Sequence, residues 1–182
     1  MSLKHALLGF LNYQNMNGYQ LKKHFDESVR YFWNASMSQI YPTLNAMLAE
    51  GLVTVASIRG DSPISAKTYA ITPQGKAELT RWLKEPVTPE PLRSALLLKL
   101  FFGGAIEPAA VKAQLTHQLT LARERLADCE KAALHVKQEH IQSGDMAQDA
   151  LFWLMTANYD IKAEQSFISW CEDCILLLPQ DR

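Results

Sequence analysis

The chain has 182 residues, enough for one large domain or two small ones, and its 48% hydrophobic and 20% charged residues are ordinary for a folded soluble protein. The net charge of -1 indicates no partner, but the charge is unevenly distributed. Residues 1–85 carry nine basic and six acidic side chains, a balance of +3, whereas residues 86–182 carry nine and 13, a balance of -4. The asymmetry favours contact with a polyanion through the first half alone.

Cysteine usage and hydropathy bear on the cellular compartment. The three cysteines, Cys129, Cys171 and Cys174, are an odd number and indicate no disulfide framework. The N-terminal "MSLKHALLGFL" has a short apolar run and no small-residue cleavage site, unlike a signal peptide. No window approaches the roughly 18 uncharged apolar residues of a membrane span, so we expect no membrane contact and a cytoplasmic protein.

Three short helices are predicted first. Apolar residues recur at helical spacing over residues 3–12, and "YQNMNG" then breaks the pattern, with Asn17 as N-cap of the second helix. In that helix Leu21 and Phe25 share one face, and the two lysines between them point away from it. A third helix follows the polar stretch "NASMS" and ends near Gly51, because glycine suits a helix C-terminal cap.

A proline inside the third helix bears on where that helix begins. Pro42 lies between Ile40 and Leu44, which belong to the apolar face. With Ser38 as N-cap, proline removes only the first intrahelical hydrogen bond, and the helix begins there or a residue or two later. Tyr41 is then expected in the extended or turn geometry favoured before proline. It lies about 100° around the helix from Ile40, so we expect it to be exposed; a core position is the alternative.

A β-hairpin and a fourth helix complete the first half. "LVTVASI" and "KTYAI" predict two strands, because they are rich in β-branched residues or alternate in polarity, and the turn-rich "RGDSPIS" joins them. "TPQGKAELTRWLKE" predicts a helix with Thr72 as N-cap and Pro73 at its first position, where proline is favoured. The predicted fold class is therefore mostly α, with residues 1–85 forming three helices, a hairpin and a fourth helix.

The second half is predicted to be all helical. Three prolines in "PVTPEP" indicate a linker over residues 86–92, and a helical domain follows over residues 93–182. Two long helices with narrow apolar stripes form an αα-hairpin there, which usually packs on a second copy and so predicts a homodimer. The alternative is that both stripes pack on residues 1–85. The candidate dimerisation residues are Leu115, Leu119, Leu126, Leu154, Ile161, Ile168 and Ile175.

The element order of the first half is that of a winged helix-turn-helix domain. In such a domain the third helix lies in the DNA major groove, and the hairpin, called the wing, touches the flanking backbone or minor groove. Hydroxyl and amide side chains at the start and outer face of helix 3 can bond phosphates or base edges, and basic residues on helix 2 and the wing supply counter-charge. The candidates are Lys22, Lys23, Ser36, Ser38, Gln39, Tyr41, Thr43, Asn45, Arg59 and Lys67.

Four segments of the first half resemble the PadR family of transcriptional regulators. They are "ALLGFL", "GYQL" at 18–21, "QIYPTLNAMLAEGLV" at 39–53 and "KTYAITPQG" at 67–75, in that family's order and spacing. The resemblance implies cytoplasmic homodimers that bind palindromic operator DNA, mostly as repressors, in many members relieved by a small aromatic or amphipathic effector. It assigns phosphate contacts to Tyr19 and Lys22, the start of the recognition helix to Ser38, Gln39 and Tyr41, and the wing base to Lys67.

The sequence departs from the family pattern at two places. Ala46, Met47 and Leu48 stand where the family often has Arg-Leu-Glu, and Ala66 stands where it often has a second basic residue near Lys67. Both changes remove charge. Each lost phosphate contact weakens DNA binding and flattens its dependence on salt.

Other functions remain as alternatives. The winged domain could dock a protein partner without binding DNA. Cys171 and Cys174 form a CxxC pair, but it lies late in a helix and has no second ligand pair at the spacing of a zinc site. The aromatics of the second half are predicted as dimer core; the alternative is an apolar effector pocket between the halves, which Trp33 could couple to helix 3. With no glycine-rich phosphate loop or nucleophile elbow, the sequence predicts no enzyme, cofactor or metal.

Overall fold

The computed structural model describes residues 2–30, 32–59, 66–88, 91–141 and 147–179. The chain divides into two compact units, residues 1–90 and residues 91–182, and each has its own cluster of buried apolar side chains. The described residues are mostly helical, with a small antiparallel sheet in the first unit. The predicted fold class is therefore confirmed.

The described residues of the first unit form four α-helices and three strands. They are α1 (Ser2–Tyr13), β1 (Met16–Asn17), α2 (Gly18–His24), α3 (Met37–Ala49), β2 (Val53–Arg59), β3 (Ala66–Ile71) and α4 (Pro73–Lys84). A π-helical turn at Phe25–Val29 continues α2. The predicted order of three helices, hairpin and helix is correct, and most of the "RGDSPIS" connector, residues 60–65, lies outside the described residues.

The sheet contains a strand that the sequence did not predict. Its order is β1-β3-β2, with Met16 opposite Tyr69 and Val53 opposite Ile71. β1 has two residues, too few to show a period, and it pairs with β3 immediately before α2 begins. The base of the wing and the start of α2 are thus joined by backbone hydrogen bonds.

Two predicted helix caps are confirmed. The Asn17 side chain accepts a hydrogen bond from the Gln20 backbone N–H at 2.9 Å, and the Gln20 side chain accepts one from the Asn17 N–H at 2.9 Å. This reciprocal capping box satisfies two N–H groups at the start of α2. Thr72 caps α4 by accepting from the Gly75 N–H at 3.0 Å, with Pro73 at the first helical position.

The predicted start of α3 is wrong. The helix begins at Met37 with Ser36 as N-cap, two residues before the predicted N-cap Ser38. The Gln39 side chain accepts a hydrogen bond from the Ser36 N–H at 3.0 Å and so fixes the earlier start. Pro42 therefore lies inside the helix, and Tyr41 is helical instead of extended. Since Pro42 has no N–H, the Ser38 carbonyl gains no helical hydrogen bond from position 42.

All four described α-helices of the first unit and the sheet contribute to its core, α4 through Leu79. The fully buried side chains are Leu7, Leu8, Leu21, Phe25, Ile40, Leu44 and Met47. The buried ring of His5 on α1 stacks on Trp82 of α4, with ring centroids 4.6 Å apart, and its Nε2 lies 3.0 Å from Oε1 of Glu78. Hydrogen bonds from Arg81 and then from His5 lower the pKa of Glu78 to about 2. These contacts fasten α1 to α4.

The second unit is the predicted helical hairpin. It comprises α5 (Ala95–Phe101), α6 (Pro108–Val136), which continues as a π-helical turn at Lys137–Ile141, and α7 (Ala147–Leu177). Leu115 and Leu119 of α6 are buried with Cys171 of α7, and Arg125 donates two hydrogen bonds to Glu164 at 2.7 and 3.0 Å. These partners run in opposite directions along α6 and α7, so the two helices are antiparallel. Within the described residues, no helix combines the length and apolarity needed to cross a membrane.

Candidate nucleic-acid interface

The start of α3 carries a group of exposed polar side chains. Its predicted members, Ser36, Ser38, Gln39, Tyr41 and Asn45, are all exposed. The hydroxyls of Ser36 and Ser38 are hydrogen-bonded to each other at 2.8 Å, and the Ser36 hydroxyl also donates to Oε1 of Gln39 at 3.1 Å, so Ser38 keeps more bonding capacity than Ser36. The predicted exposure of this face is therefore confirmed.

Thr43 differs from the other polar residues of α3. Its side chain is half-buried, and its hydroxyl donates to the Gln39 carbonyl of the same helix at 2.7 Å. A hydroxyl engaged in this way has less capacity for an outside partner. Thr43 is thus less suited to contact DNA than its pattern in the sequence predicts.

Tyr41 joins α3 to the start of α2. Its side chain is 44% exposed, which confirms the predicted exposure, and its ring lies against the backbone of Gly18 at the start of α2. Burial raises the pKa of Tyr69 on β3, and the nearby Tyr41 hydroxyl raises it further. Tyr19, the second residue of α2, is 70% exposed. Two tyrosine side chains therefore reach the surface at the start of α2 and α3.

The two lysines of α2 are each paired with an acid one turn later. The ammonium of Lys22 donates to Asp26, and that of Lys23 lies 3.7 Å from Glu27. Both lysines are predicted from the sequence as counter-charge to DNA, and that prediction leaves these acids out. Their i,i+4 spacing was the available signal.

The wing carries the remaining predicted contacts. Lys67 is exposed on β3, next to Thr68, which is opposite Asn17 in the sheet. The backbone of Arg59 ends β2 opposite Ala66, but its side chain lies outside the described residues. The β1–β3 ladder therefore places Lys67 one residue along β3 from Thr68, whose partner Asn17 is the N-cap of α2.

The predicted dimerisation residues divide into two groups. Leu115 and Leu119 are buried within a single chain, where they pack α6 against α7, so they are not available to a second copy. The other five are half-buried: Leu126, Leu154, Ile161, Ile168 and Ile175. Large apolar side chains that are at least half exposed lie elsewhere on the hairpin, at Leu134, Leu151, Phe152, Met155, Tyr159, Leu176 and Leu177.

An open groove lies where α6 ends and α7 begins. It has a volume of about 310 Å³ and is lined by Ala133, Lys137, Leu151, Leu154, Met155, Asn158 and Ile161. Nearby, the ring of Trp153 meets that of His140 edge-on, with centroids 5.2 Å apart. The lining is mostly apolar, with one cation and one amide.

The cysteine pair of α7 has none of the features of a redox site. Cys171 lies within the length of α7, not at its start, and its side chain is buried; Cys174 is half-buried. Burial raises the pKa of the Cys171 thiol, and Cys174 and Glu172 raise it further. A catalytic dithiol requires the opposite shift. The described part of the chain contains no group of three or more His, Cys, Asp or Glu side chains placed to hold a metal ion.

Two family patterns together match most of the chain. Residues 7–81 match the transcriptional regulator PadR-like family, and residues 92–178 match the family described as "Virulence activator alpha C-term". The chain is 32% identical to "Probable transcriptional regulator Rv1176c" of Mycobacterium tuberculosis, over the full length of both proteins. It is 27% identical to "Negative transcriptional regulator PadR" of Bacillus subtilis, over 98% of each.

Solved structures resemble the whole chain as well. Bacillus subtilis PadR in complex with operator DNA superposes with a TM-score of 0.82, at 26% identity, over 98% of this chain and 100% of that one. The same protein in complex with p-coumaric acid gives 0.77, at 26% identity, over 97% and 98%. The Vibrio cholerae virulence activator AphA shares the fold, with a TM-score of 0.74 at 24% identity, over 96% of each chain. The chain therefore belongs to the PadR-like family of transcriptional regulators.

Proposed function

We propose that the protein is a cytoplasmic, homodimeric repressor that binds a two-fold symmetric DNA operator. The observation that carries the proposal is the exposed polar start of α3, with the lysines of α2 and the Lys67 position of the wing beside it. Polar side chains at a helix start can contact base edges, and lysines neutralise phosphates. The Bacillus subtilis relative is a negative transcriptional regulator, which supports repression here.

The proposed dimer forms through the helical second unit. Large apolar side chains exposed along α6 and α7, such as Leu134, Leu151, Phe152 and Met155, support it, since contiguous exposed apolar surface marks protein contacts. A two-fold dimer presents two copies of α3. We therefore expect half-sites in inverted orientation, separated by about one helical turn of DNA or a multiple of it.

A small aromatic acid is the proposed effector. Bacillus subtilis PadR forms a complex with p-coumaric acid, which supports an effector of this class here. Titrating p-coumaric acid into the protein–DNA complex tests it, with benzoic acid and phenol as smaller comparators. Release of DNA by p-coumaric acid at concentrations where the comparators have no effect is the expected result. Equal effects of all three compounds, or none, would contradict it.

Selection from random-sequence duplexes tests the proposal that the protein binds DNA. The purified protein should enrich an inverted repeat, and its affinity for that duplex should fall steeply with salt. A Gln39→Ala, Tyr41→Ala double variant, checked to be folded and dimeric, should bind it poorly. Normal operator binding by that variant would show that the DNA interface does not include the start of α3. If no sequence is enriched and binding has no salt dependence, the winged domain instead docks a protein partner.

A further inference from the structure

Gly18, the first residue of α2, lies directly beneath the ring of Tyr41. A β-carbon placed on Gly18 would be 2.7 Å from Cε1 of Tyr41, 2.8 Å from Cζ and 3.0 Å from the hydroxyl oxygen. Carbon atoms in contact are normally about 3.5–4.0 Å apart, so the ring could not keep this position over any other residue. The described backbone has a positive φ at Gly51 but not at Gly18, so the conformation of Gly18 does not itself require glycine.

A second tyrosine, in the sheet, lies within electrostatic range of the same ring. Tyr69 is buried at the centre of β3 and close enough to Tyr41 for their phenol groups to interact electrostatically. Tyr69 is opposite Met16, which precedes Gly18 by two residues. The Tyr41 ring thus lies over the start of α2, directly after the residues that pair β1 with β3. Its exposed edge shares the surface with Ser38 and Gln39.

We propose that Gly18 is a positioning residue for operator recognition, because its lack of a side chain sets the orientation in which Tyr41 faces DNA. The inference rests on the proposed DNA binding by α3. Tyr41 makes the contact with DNA, and Gly18 acts through it without touching DNA itself. The helix backbone does not itself require glycine at position 18, because other residues adopt the same conformation.

The expected effect of Gly18→Ala is on binding and not on folding. The clashing atoms belong to the far end of a flexible side chain, which can swing away, and alanine favours a helix more than glycine does. To regain ordinary contact distances the ring must move by about 1 Å. A hydrogen bond from the Tyr41 hydroxyl to DNA would then be broken or badly aligned, because such bonds weaken steeply with distance and angle.

A double-mutant cycle tests the inference on the duplex selected by the wild-type protein. Operator affinity is measured for the wild type, Gly18→Ala, Tyr41→Ala and the double variant, and each protein is melted thermally. Gly9→Ala in α1 is the matched control, because a β-carbon on Gly9 would meet nothing within 4 Å. In the presence of Tyr41, Gly18→Ala should weaken binding of the dimer about 100-fold, because each of the two protomers loses one charged hydrogen bond. In the absence of Tyr41 it should weaken binding less than about two-fold, since that hydrogen bond is already lost. Gly9→Ala should bind as the wild type does.

The outcomes separate this inference from the proposed function. Wild-type affinity in Gly18→Ala, or an equal loss in both Tyr41 backgrounds, would overturn the role of Gly18 while leaving DNA binding intact. If Gly18→Ala melts lower than the wild type, adding Tyr41→Ala in the double variant should restore the melting temperature. Failure to restore it would show that the β-carbon at position 18 clashes with a group other than Tyr41, which would overturn the inference. If the wild type selects no duplex, the proposed function fails and this inference fails with it.

Discussion

Removing the Asp26 carboxylate should tighten DNA binding. Lys22 on α2 donates to Asp26 on the following turn, and both side chains are at least partly exposed. A phosphate that takes up the Lys22 ammonium must displace this carboxylate or share the cation with it. Asn at position 26 keeps the shape of the side chain but removes its charge, so Lys22 becomes available without a competing anion.

The size of the effect follows from two terms. An exposed i,i+4 ion pair contributes about 0.3–0.5 kcal/mol. A phosphate about 8 Å from the Asp26 carboxylate is repelled by about 0.5 kcal/mol in water before salt screening. The sum is about 1 kcal/mol for each protomer and about 2 kcal/mol for a dimer on two half-sites. Asp26→Asn should therefore bind roughly 10- to 30-fold more tightly at low salt.

Fluorescence anisotropy of the selected duplex across a salt series measures the gain. Glu85→Gln is the matched control, because it also removes one carboxylate that pairs at i,i+4, in this case with Arg81 on α4. Both variants change the net charge equally, so any difference between them is local. The gain should also shrink as salt rises. Affinity in Asp26→Asn no higher than in Glu85→Gln would refute the competition between Asp26 and phosphate.

Three further predictions concern stability and reactivity. The pKa of Glu78 is lowered from 4.5 to about 2, so its ionised form stabilises the fold above about pH 4.5, and this contribution is lost as the pH falls toward 2. Glu78→Gln should therefore lower the melting temperature at pH 7, and the difference from the wild type should shrink in acid. Leu115→Ala should cost about 2–5 kcal/mol in urea unfolding of the second unit, whereas Leu134→Ala, at an exposed position, should cost far less. Because burial raises the pKa of Cys171, iodoacetamide should label it more slowly in the native protein than in urea at neutral pH; faster native labelling would revive a redox role.

Local chemistry made much of the fold predictable. Asn17 and Thr72 were identified as caps because N-cap bonding depends on residues three positions apart, which a sequence displays directly. The start of α3 was misplaced although the sequence carried the signal: Gln39 follows Ser36 by three residues, the spacing of a capping box, whereas Tyr41 follows Ser38 at that distance. Strand β1 was missed because a two-residue strand exists only through its pairing with β3.

The candidate site was predictable as a set of residues but not as a set of contacts. Exposed polar positions on α3 follow from its apolar period, so Tyr41 and its neighbours could be placed on the outer face. The contact of Tyr41 with Gly18 could not be predicted, because it joins residues of two helices whose crossing is fixed by tertiary packing. The pairing of Lys22 with Asp26 was predictable in principle from spacing alone.

The irregular pairing of β2 bears on how the protein avoids aggregation. The sheet has two edges, one formed by the two-residue β1 and one by the seven-residue β2. A long free edge can accept a strand from another chain, and very short strands and bulges are devices that prevent this. β1 is too short to template another strand, and the register of β2 shifts between Val55 and Ser57, which interrupts a regular ladder. The hairpin can therefore stay exposed without pairing edge to edge with another chain.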